Sequence, residues 1–265
     1  PHLQRGQGIK ILASAAEGAQ MLATAEAGSG EDARAALVLQ RAVEPPALLN
    51  GAKFGLRVHL LLVSPPRTAD VPLPTSTDWP LVAWVHNDAV LTICGAPYNA
   101  DRTDALTHIT CTSVQRNLPG FRRERVKGAA TELWPTDWQR ALPLVRQTFG
   151  RLLERARPSL AAGAAAWPTG HAAFQCLGCD FVADADGKPW LLELNEAPQF
   201  GDPLAMDNLR RVLGQPLLNH LPEVLALSCT DVGDEAGLCA EPGGARPDRV
   251  SPQRCGGWER LPPIV

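Results

Sequence analysis

Three oxygen-bearing side chains, those of Asp180, Glu193 and Asn195, stand on two apolar runs, 174–183 and 190–195. The dipeptide Asp186-Gly187 between the runs is a strong signal for a β-hairpin turn. If those two residues form the loop, Asp180 lies opposite Glu193 on the neighbouring strand. Because side chains alternate along a strand, Asn195 then shares the face of Glu193. The spacing therefore predicts that the three side chains converge.

Two facing carboxylates repel each other unless a cation lies between them. Oxygen ligands without Cys or His suit Mg²⁺, which proteins usually hold with one or two carboxylates and nucleotide phosphates. The alternative is a solvent-exposed hairpin with ordinary polar residues. We favour a Mg²⁺ site, because acidic residues flanked this closely by Phe, Trp and Leu are seldom mere surface groups. A loop longer than two residues would shift the pairing, since Pro189 cannot donate to a neighbouring strand, but any even shift keeps the shared face.

Cationic residues occur at a spacing suited to anion binding on the predicted strand 53–64. Apolar residues occupy every second position there, which places Lys53 and Arg57 together on the other face. Arginine can bind a phosphate or carboxylate with two parallel hydrogen bonds. An anion clamp and a solvated strand face explain this pattern equally well.

Two further stretches could contact a phosphate. The glycine-spaced turn Arg5-Gly6-Gln7-Gly8 precedes an apolar strand, and glycines allow backbone N–H groups to approach a phosphate. A plain hairpin turn would have the same sequence. His108 lies in a polar connection, where it is either a phosphate ligand or an exposed histidine.

The composition restricts the class of protein. The chain has 265 residues, 45% of them hydrophobic, and a formal net charge of −3. These values fit a soluble globular enzyme or binding protein; no apolar run is long enough for a membrane span, and the charge does not indicate nucleic-acid binding. Seven scattered cysteines favour reduced thiols in the cytosol. Cys176 and Cys179 are predicted to be buried thiols, because residues three apart on a strand point to opposite faces.

A coarse reading of the chain gives the remaining elements. They are a short helix and a loop within 13–36, a strand at 37–43, a second hairpin from strands 81–87 and 89–93, an amphipathic helix opened by a capping box at Thr136 and reaching about Ala156, two short helices at 202–213 and 216–227, and a disordered or loosely packed segment at 231–265.

Six sequence blocks follow one another in a characteristic order. They are R-G-Q-G-I-K at 5–10, L-Q-R-A-V at 39–43, G-A-K-F-G-L-R at 51–57, G-A-P-Y at 95–98, T-H-I-T at 107–110 and G-C-D-F-V-A-D…K-P-W-L-L-E-L-N-E-A-P at 178–198. In this order they resemble the tubulin–tyrosine ligase-like family, a branch of the ATP-grasp ligases. The resemblance extends from Arg5 to Leu227, and the last block is the most specific.

The resemblance implies an α+β, ATP-grasp-like fold with an antiparallel sheet and flanking helices. It implies that residues 1–43 belong to the central subdomain, with the glycine flap and hinge strand, and that 44–227 form the C-terminal subdomain. Residues 228–265 would be a Pro/Gly-rich, disordered tail. The family's N-terminal subdomain, and a phosphate-binding lysine ahead of the flap, would lie upstream of Pro1.

The resemblance also implies a role for each matching site residue. Asp180, Glu193 and Asn195 match the Mg²⁺ ligands. The residues that match nucleotide contacts are Gly6, Gln7 and Gly8 of the flap over the ATP phosphates, Gln40 beside adenine, and His108 and Thr110 of a nearby loop. Lys53 and Arg57 match a catalytic basic pair that contacts nucleotide and acceptor.

The implied function is an ATP- and Mg²⁺-dependent carboxylate–amine ligase that adds tyrosine, glutamate or glycine to a tubulin tail through an acyl phosphate. A cytoplasmic location, with microtubules or cilia, follows from that function. Two positions depart from the family pattern: Gly55 replaces an aspartate and Cys111 an asparagine. The family also usually has a basic residue just ahead of its second hairpin turn and another shortly after it, where this chain has Trp84-Val85-His86 and Leu91-Thr92-Ile93. The alternatives are therefore a catalytically impaired protein that binds nucleotide or tubulin, and a ligase with another acceptor.

Overall fold

The computed structural model describes residues 9–27, 38–66, 81–99, 101, 104–164, 170–196, 198, 207–235 and 253–262. Its strands are β1 (Leu48–Leu49), β2 (Ala52–Ser64), β3 (Val82–Ile93), β4 (Lys127–Ala129), β5 (Ala173–Ala183), β6 (Pro189–Asn195), β7 (Arg254–Cys255) and β8 (Trp258–Arg260). Its helices are α1 (Ala15–Ala27), α2 (Ala105–His108), α3 (Thr112–Gln115), α4 (Arg123–Val126), α5 (Ala130–Leu133), α6 (Pro135–Ala164), α7 (Asp207–Leu209), α8 (Gln215–Asn219) and α9 (Leu221–Glu235), with a π-helical turn at Arg210–Gly214.

Within these ranges, eight strands form one open antiparallel sheet in the order β6-β5-β2-β3-β8-β7, with β1 paired to β2 and β4 to β3. The sheet and its flanking helices confirm the α+β fold predicted from the sequence. None of the helices in the described part of the chain has the length and apolar character needed to cross a bilayer.

The chain divides into two compact units. One comprises residues 1–55, 91–127 and 182–190; the other comprises 56–90, 128–181 and 191–265. The boundaries expected from the resemblance, at 43/44 and 227/228, stay predictions. Asp180, Glu193, Asn195 and Arg57 all belong to the second unit.

The second unit has a core on both faces of strand β2. Alternate residues Leu56, Val58 and Leu60 are buried, as the period-two pattern predicts. Helix α6 packs on the sheet with buried side chains that include Val145, Phe149 and Leu153, and the rings of Phe149 and Phe181 meet edge to face with centroids 5.5 Å apart. A second cluster contains the opposite face of β2 together with residues of β3, β8, the π-helical turn and the helices α8 and α9. Its members include Leu61, Val63, Trp84, Leu213, Leu217, Val224 and Trp258.

Strand β3 corrects the prediction of a second hairpin. Residues 82–93 form one continuous strand, so the chain does not turn at Asn87-Asp88. The buried carboxylate of Asp88 accepts hydrogen bonds from the backbone N–H of Ala89 (2.8 Å) and from the N–H (3.1 Å) and hydroxyl (2.6 Å) of Thr131. The pair also lacks the glycine that a two-residue hairpin turn favours.

The C-terminal residues correct the prediction of a disordered tail. Helix α9 continues to Glu235, and residues 254–260 form the hairpin β7–β8 on the edge of β3. Trp258 is fully buried, and its indole N–H donates to the carbonyl of Leu217 at 3.1 Å. The composition of a Gly/Pro-rich segment does not reveal that one of its tryptophans is buried. The prediction of disorder is therefore wrong for residues 228–235 and 253–262.

Smaller differences concern local structure. The strand predicted at 37–43 is wrong for residues 38–43, which are irregular. The connection predicted at 107–112 contributes to the short helices α2 and α3. The prediction of buried thiols is confirmed for Cys176 and Cys179, and burial raises the pKa of each to about 12.

Replacing the buried tryptophan tests the docking of the C-terminal hairpin. We expect Trp258→Ala to lower the free energy of unfolding by about 3 to 5 kcal/mol, because it removes a large buried ring and leaves a cavity. Urea unfolding measures this change. Leu144→Ala, on the exposed side of α6, is the control and should change stability by less than about 0.5 kcal/mol. Equal stabilities of the Trp258 variant and the wild type would show that the hairpin does not contribute to the core.

Candidate active site

The hairpin β5–β6 carries the three predicted metal ligands, and its loop differs from the two-residue prediction. The backbone N–H of Asp184 donates to the carbonyl of Lys188 at 3.0 Å, which leaves three residues, 185–187, in the loop. Gly187 has a φ of 79°, the left-handed conformation that three-residue hairpin loops place at this position. The Asp184 side chain accepts from the N–H groups of Asp186 (3.1 Å) and Lys188 (3.0 Å). The loop is one residue longer than predicted, and this one-residue difference is not the even shift for which the predicted pairing of Asp180 with Glu193 would keep both on one face.

The structure brings Asp180, Glu193 and Asn195 together. The amide nitrogen Nδ2 of Asn195 lies 3.3 Å from Oδ2 of Asp180 and 3.2 Å from Oε1 of Glu193. It also lies 3.3 Å from the carbonyl oxygen of Gly178. One amide group thus contacts both carboxylates, and both acidic side chains lie close to Asn195.

Arg57 is the cationic partner of this group. Its Nε and Nη2 each donate to one oxygen of Asp180, both at 2.7 Å. The pairing of β2 with β5 places Arg57 directly opposite Asp180 in the antiparallel register. The two side chains are 29% and 26% exposed, so the ion pair is only partly screened by solvent. A two-bond contact of this kind fixes both side chains more firmly than a single hydrogen bond.

The charges at this cluster do not balance. Two carboxylates and one guanidinium leave a net charge of −1, and among the described residues no cationic side chain forms an ion pair with Glu193. Rotation of the Asn195 amide by half a turn would exchange Nδ2 for Oδ1 and add a third oxygen. An all-oxygen donor set with excess negative charge fits Mg²⁺.

Gly178 is a residue of this site that the functional interpretation did not single out. A Cβ atom at this position would lie 3.3 Å from Cδ of Arg57 and 3.3 Å from Cα of Pro198. A larger residue would therefore displace the Arg57 side chain or the backbone at Pro198. The signal in the sequence was the glycine of G-x-D-F, which stands two residues before Asp180 on the same strand face.

Lys53 lies at the start of β2, in the first unit. Burial lowers the pKa of its ammonium group from the ordinary value, while the neighbouring Cys94 and Glu44 act in the opposite direction. Its carbonyl oxygen accepts a hydrogen bond from the backbone N–H of Cys94 at 2.8 Å. A half-buried lysine of this kind is suited to binding an anion.

His108 and Thr110 belong to the first unit, at the helices α2 and α3. His108 is buried: its Nε2 lies 2.9 Å from the carbonyl oxygen of Asp101, and its ring meets Tyr98 edge to face. The alternative of an exposed histidine is therefore wrong. Thr110 is half-buried. Cys111, the departure from the family pattern, is the N-cap of α3 and contacts the Ser113 hydroxyl at 3.0 Å.

Two further groups of residues were predicted to contact the nucleotide. Gln40 is exposed in an irregular segment. Gly6, Gln7 and Gly8 of the predicted flap lie outside the described residues. Their predicted roles stay predictions.

A double-mutant cycle measures the ion pair at the centre of the cluster. For Arg57→Met and Asp180→Asn, without metal, we expect a coupling free energy of about 1 to 2 kcal/mol, because the contact has two hydrogen bonds and limited solvent screening. The exposed pair Arg140–Asp137, at 3.4 Å with side chains 77% and 46% exposed, is the control and should give at most about 0.5 kcal/mol. Additive effects of the Arg57 and Asp180 substitutions would contradict the observed geometry.

Comparison with known proteins identifies a matching family model and several related sequences. The model of the Tubulin-tyrosine ligase family matches residues 1–222. The chain is 25% identical over 170 residues to the mouse Protein monoglycylase TTLL8, covering 61% of this chain and 19% of that protein. It is 28% identical over 193 residues to the Xenopus tropicalis Tubulin polyglutamylase TTLL7, covering 65% and 20%.

A third relative is matched over a larger share of its length. The chain is 27% identical over 204 residues to the Caenorhabditis elegans Probable tubulin polyglutamylase ttll-9, covering 75% of this chain and 44% of that protein. The chain thus spans from about a fifth to less than half of the length of these relatives. The family match extends over most of the sequence, including every residue of the candidate site, and the chain therefore belongs to the tubulin–tyrosine ligase family.

Proposed function

We propose that this chain carries the magnesium- and ATP-binding centre of a ligase that joins an amino acid to a tubulin carboxylate through an amide bond. The observation that carries the proposal is the convergence of Asp180, Glu193 and Asn195 beside Arg57. Relatives named as tubulin monoglycylases and polyglutamylases support the reaction class and the acceptor. The amino acid could be glycine, glutamate or tyrosine.

The reaction brings two anions together. The acceptor carboxylate attacks the γ-phosphorus of ATP, ADP leaves, and an acyl phosphate forms. The amine of the amino acid then attacks the acyl carbon, and phosphate leaves as the amide bond forms. Catalysis of such steps is mainly charge neutralisation and positioning.

The residues of the cluster would divide these tasks. Asp180, Glu193 and the oxygen of Asn195 would hold Mg²⁺, which when bound neutralises phosphate charge. Arg57, whose guanidinium already forms two parallel bonds to a carboxylate, would turn to a phosphate or to the acceptor carboxylate. In this way its positive charge would remain in the site while Asp180 becomes available to the metal.

Other predicted residues would bind the rest of the nucleotide. Lys53 would offset phosphate charge, and Gln40 would contact the adenine. Gly6, Gln7 and Gly8 would cover the phosphates. His108, at the end of α2, would contact the nucleotide through Nδ1, since Nε2 is engaged by Asp101, and Thr110 would contact it from the α2–α3 connection.

A second candidate function is nucleotide or tubulin binding without ligation. Gly55 supplies no carboxylate where the family has an aspartate, and Arg57 occupies Asp180 in this structure. If that ion pair persists with nucleotide bound, Asp180 is not available for Mg²⁺. Such a protein would bind ATP without forming ADP, so one assay distinguishes the two functions. A ligase with an acceptor other than tubulin would form ADP only with that acceptor. Location in the cytoplasm, at microtubules or cilia, is part of the ligase proposal.

Removing one carboxylate tests the metal assignment. We expect Glu193→Gln to lower turnover of Mg-ATP by at least about a hundredfold, because a charged ligand becomes a neutral amide. The thermal midpoint should not change, since Glu193 is exposed. The measurement is ADP release by the full-length protein with α-tubulin and with glycine, glutamate or tyrosine in turn.

The control for this substitution is Glu196→Gln, which removes the same charge from an exposed position three residues further on. It should retain wild-type turnover. Wild-type turnover in the Glu193 variant would exclude the proposed metal ligands. Nucleotide binding without ADP formation in the wild type, with every amino acid, would favour the binding-protein alternative.

Removing the guanidinium tests the role of Arg57. We expect Arg57→Ala to raise KM for ATP or for the acceptor by about tenfold or more, because an anion loses a bidentate partner. Arg57→Lys keeps the charge without the planar geometry, and its KM should fall between those of the wild type and the alanine variant. Unaltered KM and kcat in the alanine variant would place Arg57 outside the reaction.

A further inference from the structure

A second group of metal-ligating side chains lies in the C-terminal part of the second unit. His220 follows α8, Glu223 is in the first turn of α9, and Cys255 is in β7. One ligand atom from each lies within 4.8 Å of the other two. None of them belongs to the cluster around Asp180, so the proposed ligase chemistry does not use them.

The helix and the hairpin each contribute to the geometry of this group. His220 and Glu223 are three residues apart, a spacing that places both side chains on the same side of a helix. Their Nδ1 and Oε2 atoms are 3.6 Å apart. Cys255 approaches them from strand β7, which is far away in the sequence.

The turn after Cys255 permits this approach. Gly256 has a φ of 55°, and a Cβ atom there would overlap the imidazole ring of His220. Glycine is therefore required both by the backbone conformation and by the neighbouring ring. The next residue, Gly257, lies against Nε2 of the buried His86, and no described residue forms a hydrogen bond with that nitrogen. The turn thus packs between two imidazoles.

The exposure of the three side chains suits a site with one open position. Cys255 is buried, whereas the side chains of His220 and Glu223 are 40% and 64% exposed. An ion could therefore enter from the solvent side and keep a water molecule as its fourth ligand. A mixed nitrogen, sulfur and oxygen donor set suits Zn²⁺, whereas Mg²⁺ and Ca²⁺ take oxygen ligands.

We propose that His220, Glu223 and Cys255 bind one Zn²⁺ ion. The bound metal joins the β7–β8 hairpin to the helices α8 and α9 and so stabilises the part of the core that contains Trp258. This zinc binding does not depend on nucleotide or tubulin. The thiol must lose its proton when the metal binds, so affinity should fall at acidic pH.

Direct metal binding tests the proposal. Untagged full-length protein is stripped with a chelator and titrated with Zn²⁺ against a chromophoric competitor, in the presence of excess Mg²⁺. We expect one zinc ion per chain and an increase of about 5 °C in the thermal midpoint at a hundredfold excess over Kd. Co²⁺ in place of zinc should give a thiolate-to-cobalt charge-transfer absorption, which reports Cys255 directly.

Ligand and control variants separate this site from others. Glu223→Gln changes an exposed side chain and leaves the fold intact, while Cys255→Ser replaces the buried ligand; each should weaken zinc affinity by roughly a hundredfold or more. Cys229→Ser, a half-buried thiol in α9 outside the cluster, and Glu193→Gln should bind like the wild type. Absence of the cobalt–thiolate band, or equal affinity in the Glu223 and wild-type proteins, would overturn the proposal.

Discussion

Repulsion between two neighbouring carboxylates is the constraint on which the candidate site depends. Asp180 and Glu193 share one amide partner, Asn195, and positive charge must compensate them. Arg57 supplies one charge through a bidentate contact, and the remaining negative charge is what the proposed divalent cation would offset. In the proposed function, replacing Arg57 by the metal at Asp180 would link metal binding to the anion that Arg57 would then bind.

The position of this cluster is set by strand pairing. The antiparallel register of β2 and β5 brings Arg57 opposite Asp180, and Gly178 leaves room for the arginine side chain to cross the strand. Buried residues on both sides of the sheet, including Leu60 and Leu61 of β2, hold that register. The proposed chemistry would therefore rest on a strand register held by buried residues, as catalysis by charge positioning requires.

Local sequence patterns predicted the parts of this arrangement that depend on neighbouring residues. Alternation along β6 predicted that Glu193 and Asn195 share a face, and Asn195 contacts Asp180 on the neighbouring strand. The apolar period of the region after Thr136 likewise predicted an amphipathic helix, α6. The Arg57–Asp180 pair was not predictable, because it joins strands separated by 123 positions. The hairpin loop was misjudged because Asp184, rather than Asp186-Gly187 alone, closes it. Trp258 was missed because composition averages a whole segment, whereas one tryptophan can anchor a hairpin.

The central claim is that Asp180, Glu193 and Asn195 hold one divalent ion together with nucleotide. Electron paramagnetic resonance of Mn²⁺, used in place of Mg²⁺ with a non-hydrolysable ATP analogue, tests it most directly in the full-length protein. The account predicts one tightly bound Mn²⁺ per chain in the wild type, and loss of that signal in Asp180→Asn and Asn195→Leu. Bound Mn²⁺ of unchanged affinity in both variants would contradict it.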